Sequence, residues 1–196
     1  MTIDTSRRAF FRRAKAKITG TVIDEVDQRL RQQAVRWIRP PYAIDELEFN
    51  LSCTRCGACT DACAYNTIFP LPERYGLHVA GTPAMDLVDN ACRSCSGWPC
   101  VDACVNGALT KLGRNASLDQ PPVLARLVVD TERCLPYSGP ECGACQVSCP
   151  VDGALVFTDN RPQIDHEKCT GCALCRLACI QDPAAINVYS LSATPD

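Results

Sequence analysis

Large aromatic side chains are few in this chain of 196 residues: Phe, Trp and Tyr together make up 6%. Hydrophobic residues reach 46%, but that figure counts the cysteines. A core built from so few large side chains is thin, and something else must help hold the chain together. An excess of one charge is also lacking. Twenty basic against 22 acidic residues leave a net charge of −2, which argues against general nucleic-acid binding, since that needs a basic face. No apolar run approaches the roughly 18 residues of a membrane span. There are two histidines, His78 and His166, with no evident partner set. No glycine-rich dinucleotide fingerprint of the strand–turn–helix kind is present, and no nucleophile–base signature.

Cysteine is abundant where all of this is scarce. Sixteen cysteines fall into four groups of four: Cys53, Cys56, Cys59 and Cys63; Cys92, Cys95, Cys100 and Cys104; Cys134, Cys142, Cys145 and Cys149; Cys169, Cys172, Cys175 and Cys179. The spacings are C-x2-C-x2-C-x3-C, C-x2-C-x4-C-x3-C, C-x7-C-x2-C-x3-C and again C-x2-C-x2-C-x3-C. The groups form an internal repeat that needs no other sequence identity to be seen.

A disulfide framework fits this pattern poorly. Cysteine-dense secreted chains are usually shorter and close long loops with their bridges; here close neighbours would have to bridge. Structural zinc takes four thiolates, commonly from two separate C-x2-C knuckles, not three in one tight loop followed by a fourth. The run C-x2-C-x2-C-x3-C is instead the bacterial ferredoxin signature, with three thiolates on one iron–sulfur cluster and the fourth reaching a second. A tight loop wraps three corners of a cubane with its amides turned to the sulfurs. The fourth cysteine is expected to begin a helix and point the other way. Gly57, Ala58, Gly143, Ala144, Gly171 and Ala173 are small enough for such loops. Pro150 after Cys149 matches the C-P ending of the signature; the other groups end Cys63-Ala64, Cys104-Val105 and Cys179-Ile180, but that proline ligates nothing. Sixteen thiolates supply four 4Fe-4S clusters with none left over.

Residues 1–40 read as a basic segment followed by an amphipathic helix, residues 41–192 as the four-cluster region, and 193–196 as a tail. Arg7, Arg8, Arg12, Arg13, Lys15 and Lys17 carry no acid among them. Over 21–38, Val22, Val26, Leu30, Ala34, Trp37 and Ile38 recur at helical spacing, and Pro40-Pro41 ends the helix. Its apolar face suits docking on the protein's own body, on a partner or, through residues 7–38, peripherally on a membrane surface. Ala125–Asp130 reads as a strand, Ala154–Phe157 and Gln163–Asp165 as a hairpin turning at Thr158–Arg161, and Ile186–Leu191 as a closing strand. Short helices are expected after Cys63, Cys104, Cys149 and Cys179. The fold class is α+β, a doubled bacterial ferredoxin-like architecture of two modules, loop-rich, with an N-terminal helix. Removing iron should unfold it. Two cross-ligated pairs of groups are needed. Neighbours could pair, which the hairpin between groups three and four favours, or the pairs could nest, one with four and two with three.

Further motifs carry a family resemblance over residues 38–192. They are Ile38-Arg39-Pro40-Pro41, Gly81-Thr82-Pro83, Cys95-x4-Cys100 with Pro99, Cys134-Leu135-Pro136-Tyr137, and Cys179-Ile180-Gln181-Asp182-Pro183-Ala184-Ala185-Ile186-Asn187-Val188. Together with the order of the groups, they resemble the NapG/MauM-type polyferredoxins, electron-transfer partners of periplasmic nitrate reductase and methylamine dehydrogenase systems. Group two is also similar to the four-cluster subunits of molybdenum oxidoreductases, whose clusters are nested, so the resemblance implies nesting. The N-terminus departs from the NapG pattern. Ser6-Arg7-Arg8-Ala9-Phe10-Phe11-Arg12 resembles a twin-arginine export signal, which needs an apolar stretch of about 7–15 residues; Ile18–Ile23 holds two threonines and a glycine. The start Ile3-Asp4-Thr5-Ser6-Arg7-Arg8 looks like NapF, the cytoplasmic relative. Cytoplasmic residence is the expectation, with periplasmic export the alternative.

The resemblance implies a relay of electrons between a donor, such as a quinol-oxidising membrane protein, and a redox enzyme such as a molybdenum oxidoreductase, with no catalysis of its own. The alternative is a cytoplasmic maturation protein that docks on a reductase precursor. His166, three residues before Cys169, is a candidate to tune that cluster's potential by hydrogen bonding or charge.

Overall fold

The computed structural model describes residues 37–111 and 121–192. The basic segment and nearly all of the expected 21–38 helix therefore lie outside the described residues. Its last two residues, Trp37 and Ile38, are not helical, and Ile38 bridges Met85. Arg39 follows, directly before Pro40-Pro41, and the residue before a proline is pushed away from helical geometry.

The chain first forms α1 (Glu46–Ser52), a helix the sequence reading did not anticipate. Glu46 and Glu48 lie in its first turn, where negative charge suits the helix dipole. Phe49 is fully buried beneath it. Its last turn delivers Cys53, whose N–H donates to the Phe49 carbonyl at 2.8 Å.

Beyond α1 the secondary structure is short throughout. One-turn helices α2 (Ala58–Asp61), α3 (Pro99–Asp102), α4 (Leu135–Ser138) and α5 (Leu174–Leu177) alternate with six short strands. These strands make three two-stranded antiparallel sheets. β1 (Ile68–Pro70) pairs β2 (Pro83–Met85), β3 (Arg126–Val129) pairs β6 (Ile186–Tyr189), and β4 (Leu155–Thr158) pairs β5 (Arg161–Ile164). The expected strand, hairpin and closing strand are thus present. The hairpin turns on Asp159 and Asn160, both at positive φ (52° and 61°), the two-residue conformation that matches strand twist.

Short helical turns are present, but they stand before the fourth cysteine of each group rather than after it. α2, α3, a 3-10 turn at Gln146–Ser148, and α5 end just ahead of Cys63, Cys104, Cys149 and Cys179. The cause is chain length. Only residues 64–67 separate Cys63 from β1, and only 150–154 separate Cys149 from β4, so the chain must return at once to a strand. The x3 spacing before each fourth cysteine provides the turn, and one turn of rise carries that thiol away from its three companions.

Both halves tie their ends together and carry a strand pair in the middle. In the second half the tie is β3–β6 around β4–β5. In the first half it is the Ala43–Leu109 bridge, with hydrogen bonds from Ile44 N–H to the Ala108 carbonyl and Thr110 N–H to the Tyr42 carbonyl, around β1–β2. A lone strand pair is marginal in water, so these ribbons depend on what they enclose. One core of buried residues runs through both halves, from Phe49, Ile68 and Leu87 to Leu127 and Ile186, and it includes Cys59, Cys100 and Cys175.

The halves meet through the backbone. The N–H of Cys92 donates to the Cys172 carbonyl at 2.9 Å. Arg176 bonds the Val88 carbonyl at 2.7 Å on one side and the Ile186 carbonyl on the other.

Candidate metal centres

The cysteine loops are shaped by residues in the left-handed region. Arg55 (φ 58°), Ser94 (47°) and Gly171 (69°) each stand directly before the second cysteine of their group, and Gly57 (80°), Trp98 (55°) and Ala173 (66°) follow it. Successive turns of this kind gather backbone N–H groups on one side and form a concave nest for negative charge. The N–H groups of Ala58, Ser94, Gly171 and Leu174 act on the sulfurs of Cys56, Cys92, Cys169 and Cys172, two residues earlier.

Two groups accommodate extra residues between their cysteines. In group two, Gly97 and Trp98 both take positive φ and Pro99 opens α3; the half-buried Trp98 ring lines the second hollow and packs edge-on to Tyr42 at 5.3 Å. In group three the x7 insertion forms α4 and lies on the hairpin. The Tyr137 hydroxyl donates to the Pro162 carbonyl at 3.0 Å, under the Arg161 guanidinium. The chain thus leaves after Cys134 and returns with Cys142 and Cys145 on the same side.

Four hollows result, each lined by four thiols. Cys53, Cys56 and Cys59 share one with Cys104. Cys92, Cys95 and Cys100 share the next with Cys63. Cys134, Cys142 and Cys145 meet Cys179, and Cys169, Cys172 and Cys175 meet Cys149. In every hollow three thiols come from one group and the fourth comes from the neighbouring group. The nested arrangement is therefore corrected: group one pairs with two, and three with four. The reason is that each pair shares a half whose ends are tied together, and α2 packs on α3 just as α5 packs on the 3-10 turn 146–148.

Burial dominates the chemistry of these thiols. It pushes Cys92 up to about 11, Cys100 to about 12, Cys145 to about 11 and Cys175 to about 12. Neighbouring thiols raise them further; Cys100, for example, feels Cys92 and Cys63. Cys56 differs. It is exposed, and the Ala58 N–H and the Thr54 hydroxyl hold its thiol below the usual value. Backbone N–H groups also reach Cys104 from Leu109 (3.4 Å), Cys169 from Gly171 (3.4 Å) and Cys179 from Ala185 (3.3 Å).

The donor set fits an iron–sulfur group. Hollows two, three and four measure about 380, 370 and 300 Å³, and no histidine or carboxylate lines them. The first is an open cleft of about 920 Å³ with Arg55 and Asp61 at its wall. All sixteen thiols are free of disulfides. Among the described residues no three His, Cys, Asp or Glu side chains converge to hold a single ion, as a tetrahedral zinc site requires with sulfurs about 2.3 Å from the metal. Thiols ringed around a hollow, too widely set for one ion, suit a polynuclear cluster held by soft sulfur ligands.

The sequence reading missed the turns that present groups three and four. Asp130-Thr131-Glu132-Arg133-Cys134 and Asp165-His166-Glu167-Lys168-Cys169 share a D-x-E-basic-C pattern that was there to be seen. Asp130 Oδ1 accepts the N–H groups of Glu132 and Arg133, and Asp165 Oδ1 that of Glu167. The Asp130 and Asp165 carbonyls accept the N–H groups of Cys134 and Cys169, both at 2.9 Å. Burial above all raises the Cys169 thiol, with Cys172 and Cys149 adding to it, and the charged side chain of this turn that acts in the same direction is Asp165. His166 points into solvent on the same turn and His78 is exposed on the first half.

Comparisons with known proteins agree with this donor set. A 4Fe-4S binding domain family matches residues 50–66, 131–152 and 166–179. The ferredoxin-type protein NapG of Escherichia coli (strain K12) is 34% identical over 202 residues, covering 95% of this chain and 86% of that protein. The methylamine utilization ferredoxin-type protein MauM of Methylobacillus flagellatus is 33% identical over 187 residues, 90% of this chain and 79% of that protein. The ferredoxin-type protein NapF of E. coli is 30% identical over 154 residues, 76% of this chain and 83% of that protein. No solved structure matches the chain significantly. A chain that shares a third of its residues with NapG and MauM over nearly its whole length, and sets four thiols around each of its hollows, belongs to the NapG/MauM family of ferredoxin-type iron–sulfur proteins of electron transport.

Proposed function

We propose that the sixteen cysteines hold four 4Fe-4S clusters, two in each of two ferredoxin-like modules, and that the protein relays electrons between a quinol-linked donor and a redox enzyme without catalysing a reaction itself. The observation that carries this reading is the set of four hollows, each with three thiols from one group and a fourth from its neighbour. Each cluster, when bound, accepts and gives up one electron. The chain supplies the rest. The thiolates fix the position of each centre, and the backbone N–H groups on Cys104, Cys169 and Cys179 stabilise added negative charge. Apolar walls such as Leu127, Leu155 and Ile164 exclude water from the fourth hollow. Both hydrogen bonding to sulfur and solvent exclusion are known controls of potential.

The test is anaerobic purification, iron and sulfide analysis, and EPR of the dithionite-reduced protein. About sixteen irons per chain with interacting reduced-cubane signals are expected. Zinc, or iron well below that level without such signals, rejects the relay.

The similarity to NapF favours a second reading, an accessory role in the cytoplasm on the precursor of a reductase. Deleting residues 1–36 spares Trp37 and Ile38, which pack on the described body, and so leaves the cluster region whole. Loss of binding to a reductase precursor with electron transfer intact supports the accessory role; unchanged binding rejects it. Cell fractionation decides between cytoplasm and periplasm.

A further inference from the structure

We propose that electrons cross from one half to the other at the contact between Cys92 and Cys172, so that the hollows form a single file: first group, second, fourth, third. This rests on the cluster reading above and adds to it the route between centres. The contact joins the two inner hollows directly. Cys92 lines the second hollow and Cys172 the fourth, and the N–H of Cys92 donates to the carbonyl of Cys172 at 2.9 Å. From one sulfur to the other the route runs along two cysteine side chains, short stretches of backbone and one hydrogen bond. It needs no through-space jump.

Neither cysteine of this contact lines an outer hollow: the thiols of the first are Cys53, Cys56, Cys59 and Cys104, and those of the third are Cys134, Cys142, Cys145 and Cys179. Each touches its inner neighbour through the helical turns that carry third and fourth cysteines together. Crossing the seam moves one electron from a reduced cluster to an oxidised one. No bond is made and no proton moves.

Within the second half the loop carrying Cys172 is itself fixed: an ideal Cβ on Gly171 would lie 2.0 Å from the Ala125 carbonyl oxygen, so this loop lies flush against the strand leading into β3. Arg176 then clamps the halves. Its guanidinium bonds the Val88 carbonyl of the first half and the Ala184 and Ile186 carbonyls of the second. Arg176 is a positioning residue and touches no electron itself.

The test uses the full chain, loaded anaerobically and fully reduced with dithionite, read by EPR for magnetic interaction between clusters and by iron content. Cys95→Ser empties the second hollow and strands the first-group cluster. An isolated, unsplit signal is expected from about one third of the remaining spins. Cys56→Ser and Cys142→Ser each remove an end of the file, so every remaining cluster keeps a neighbour and no isolated signal is expected. Arg176→Ala should keep its iron while interaction across the seam weakens. An isolated signal after Cys56→Ser or Cys142→Ser, or none after Cys95→Ser, overturns the order. Unchanged interaction in Arg176→Ala overturns the clamp, and it decides the matter should a cysteine variant fail to fold. Failure of the cluster reading looks different, because the unmutated protein would then lack the iron or the interacting signals.

Discussion

At the scale of single residues, Arg39 joins three parts of the first half. Its guanidinium grips the Glu46 carboxylate with two nitrogens, donates to Thr82 Oγ1 and the Pro83 carbonyl at 2.8 Å each, and lies 4.5 Å over the Phe49 ring. The side chains of the pair are only 11% and 9% exposed. Removing one partner of a buried pair strands the other charge and costs about 3–5 kcal/mol. Arg39→Ala should therefore destabilise the loaded protein by about that amount in anaerobic denaturant titrations. A loss below about 1 kcal/mol would mean that water reaches Glu46. The Ile38-Arg39-Pro40-Pro41 motif was legible as a family mark, but its bond to Glu46 was not, because it depends on a helix too short to show a periodicity. Glycines offer a second comparison. Gly171→Ala combines φ 69° with a Cβ placed only 2.0 Å from the Ala125 carbonyl oxygen, and should cost more than about 3 kcal/mol and lower iron content. Gly57→Ala has a similar φ of 80° but meets nothing within 4 Å, so it should cost only about 1–2 kcal/mol.

At the scale of elements, the turns before groups three and four set how the second half responds to acid. Hydrogen bonds from Arg133 hold the Asp130 carboxyl below its ordinary range against the opposing effect of desolvation. The Glu167 N–H, with Lys168, does the same for Asp165. A carboxylate whose folded value is depressed adds stability above its unfolded value and loses it as pH falls through the folded one. Stability of the second half should thus fall as pH drops below about 4. The double variant Asp130→Asn, Asp165→Asn should show a flatter profile there, read by anaerobic thermal unfolding across that range. At this scale the sequence was partly readable. The hairpin turning at Thr158–Arg161 and the strands at Ala125–Asp130 and Ile186–Leu191, where β3 and β6 stand, were legible. The one-turn helices were foreseen on the wrong side of each fourth cysteine, since spacing alone does not say whether x3 is a turn of helix or a link. α1 escaped notice because Phe49 is its one buried residue.

At the scale of the whole molecule, the scarcity of large side chains has a structural counterpart. No described sheet exceeds two strands, and cysteines count among the core residues. With the clusters removed, the walls around four hollows lose what they enclose. Anaerobic chelation of iron should therefore abolish both near- and far-ultraviolet dichroism together. Iron should leave the first hollow earliest, because that cleft is the widest and its Cys56 is exposed; retention of iron there after loss elsewhere would contradict this. The grouping of cysteines was fully legible from spacing. The pairing of groups was not, because a fourth cysteine carries no mark of its destination. The tie between Ala43 and Leu109, and that between β3 and β6, decide it.

Pairing between neighbours also changes what is possible while the chain is still being made. Every cysteine around the first two hollows has been synthesised once the ribosome passes Cys104. A nested pattern would have kept the first hollow waiting for a residue near the end of the chain. Local closure of this kind lets the first half mature and shelter its thiols before the second exists. A shortage of iron during translation would then leave its mark first at the carboxyl end.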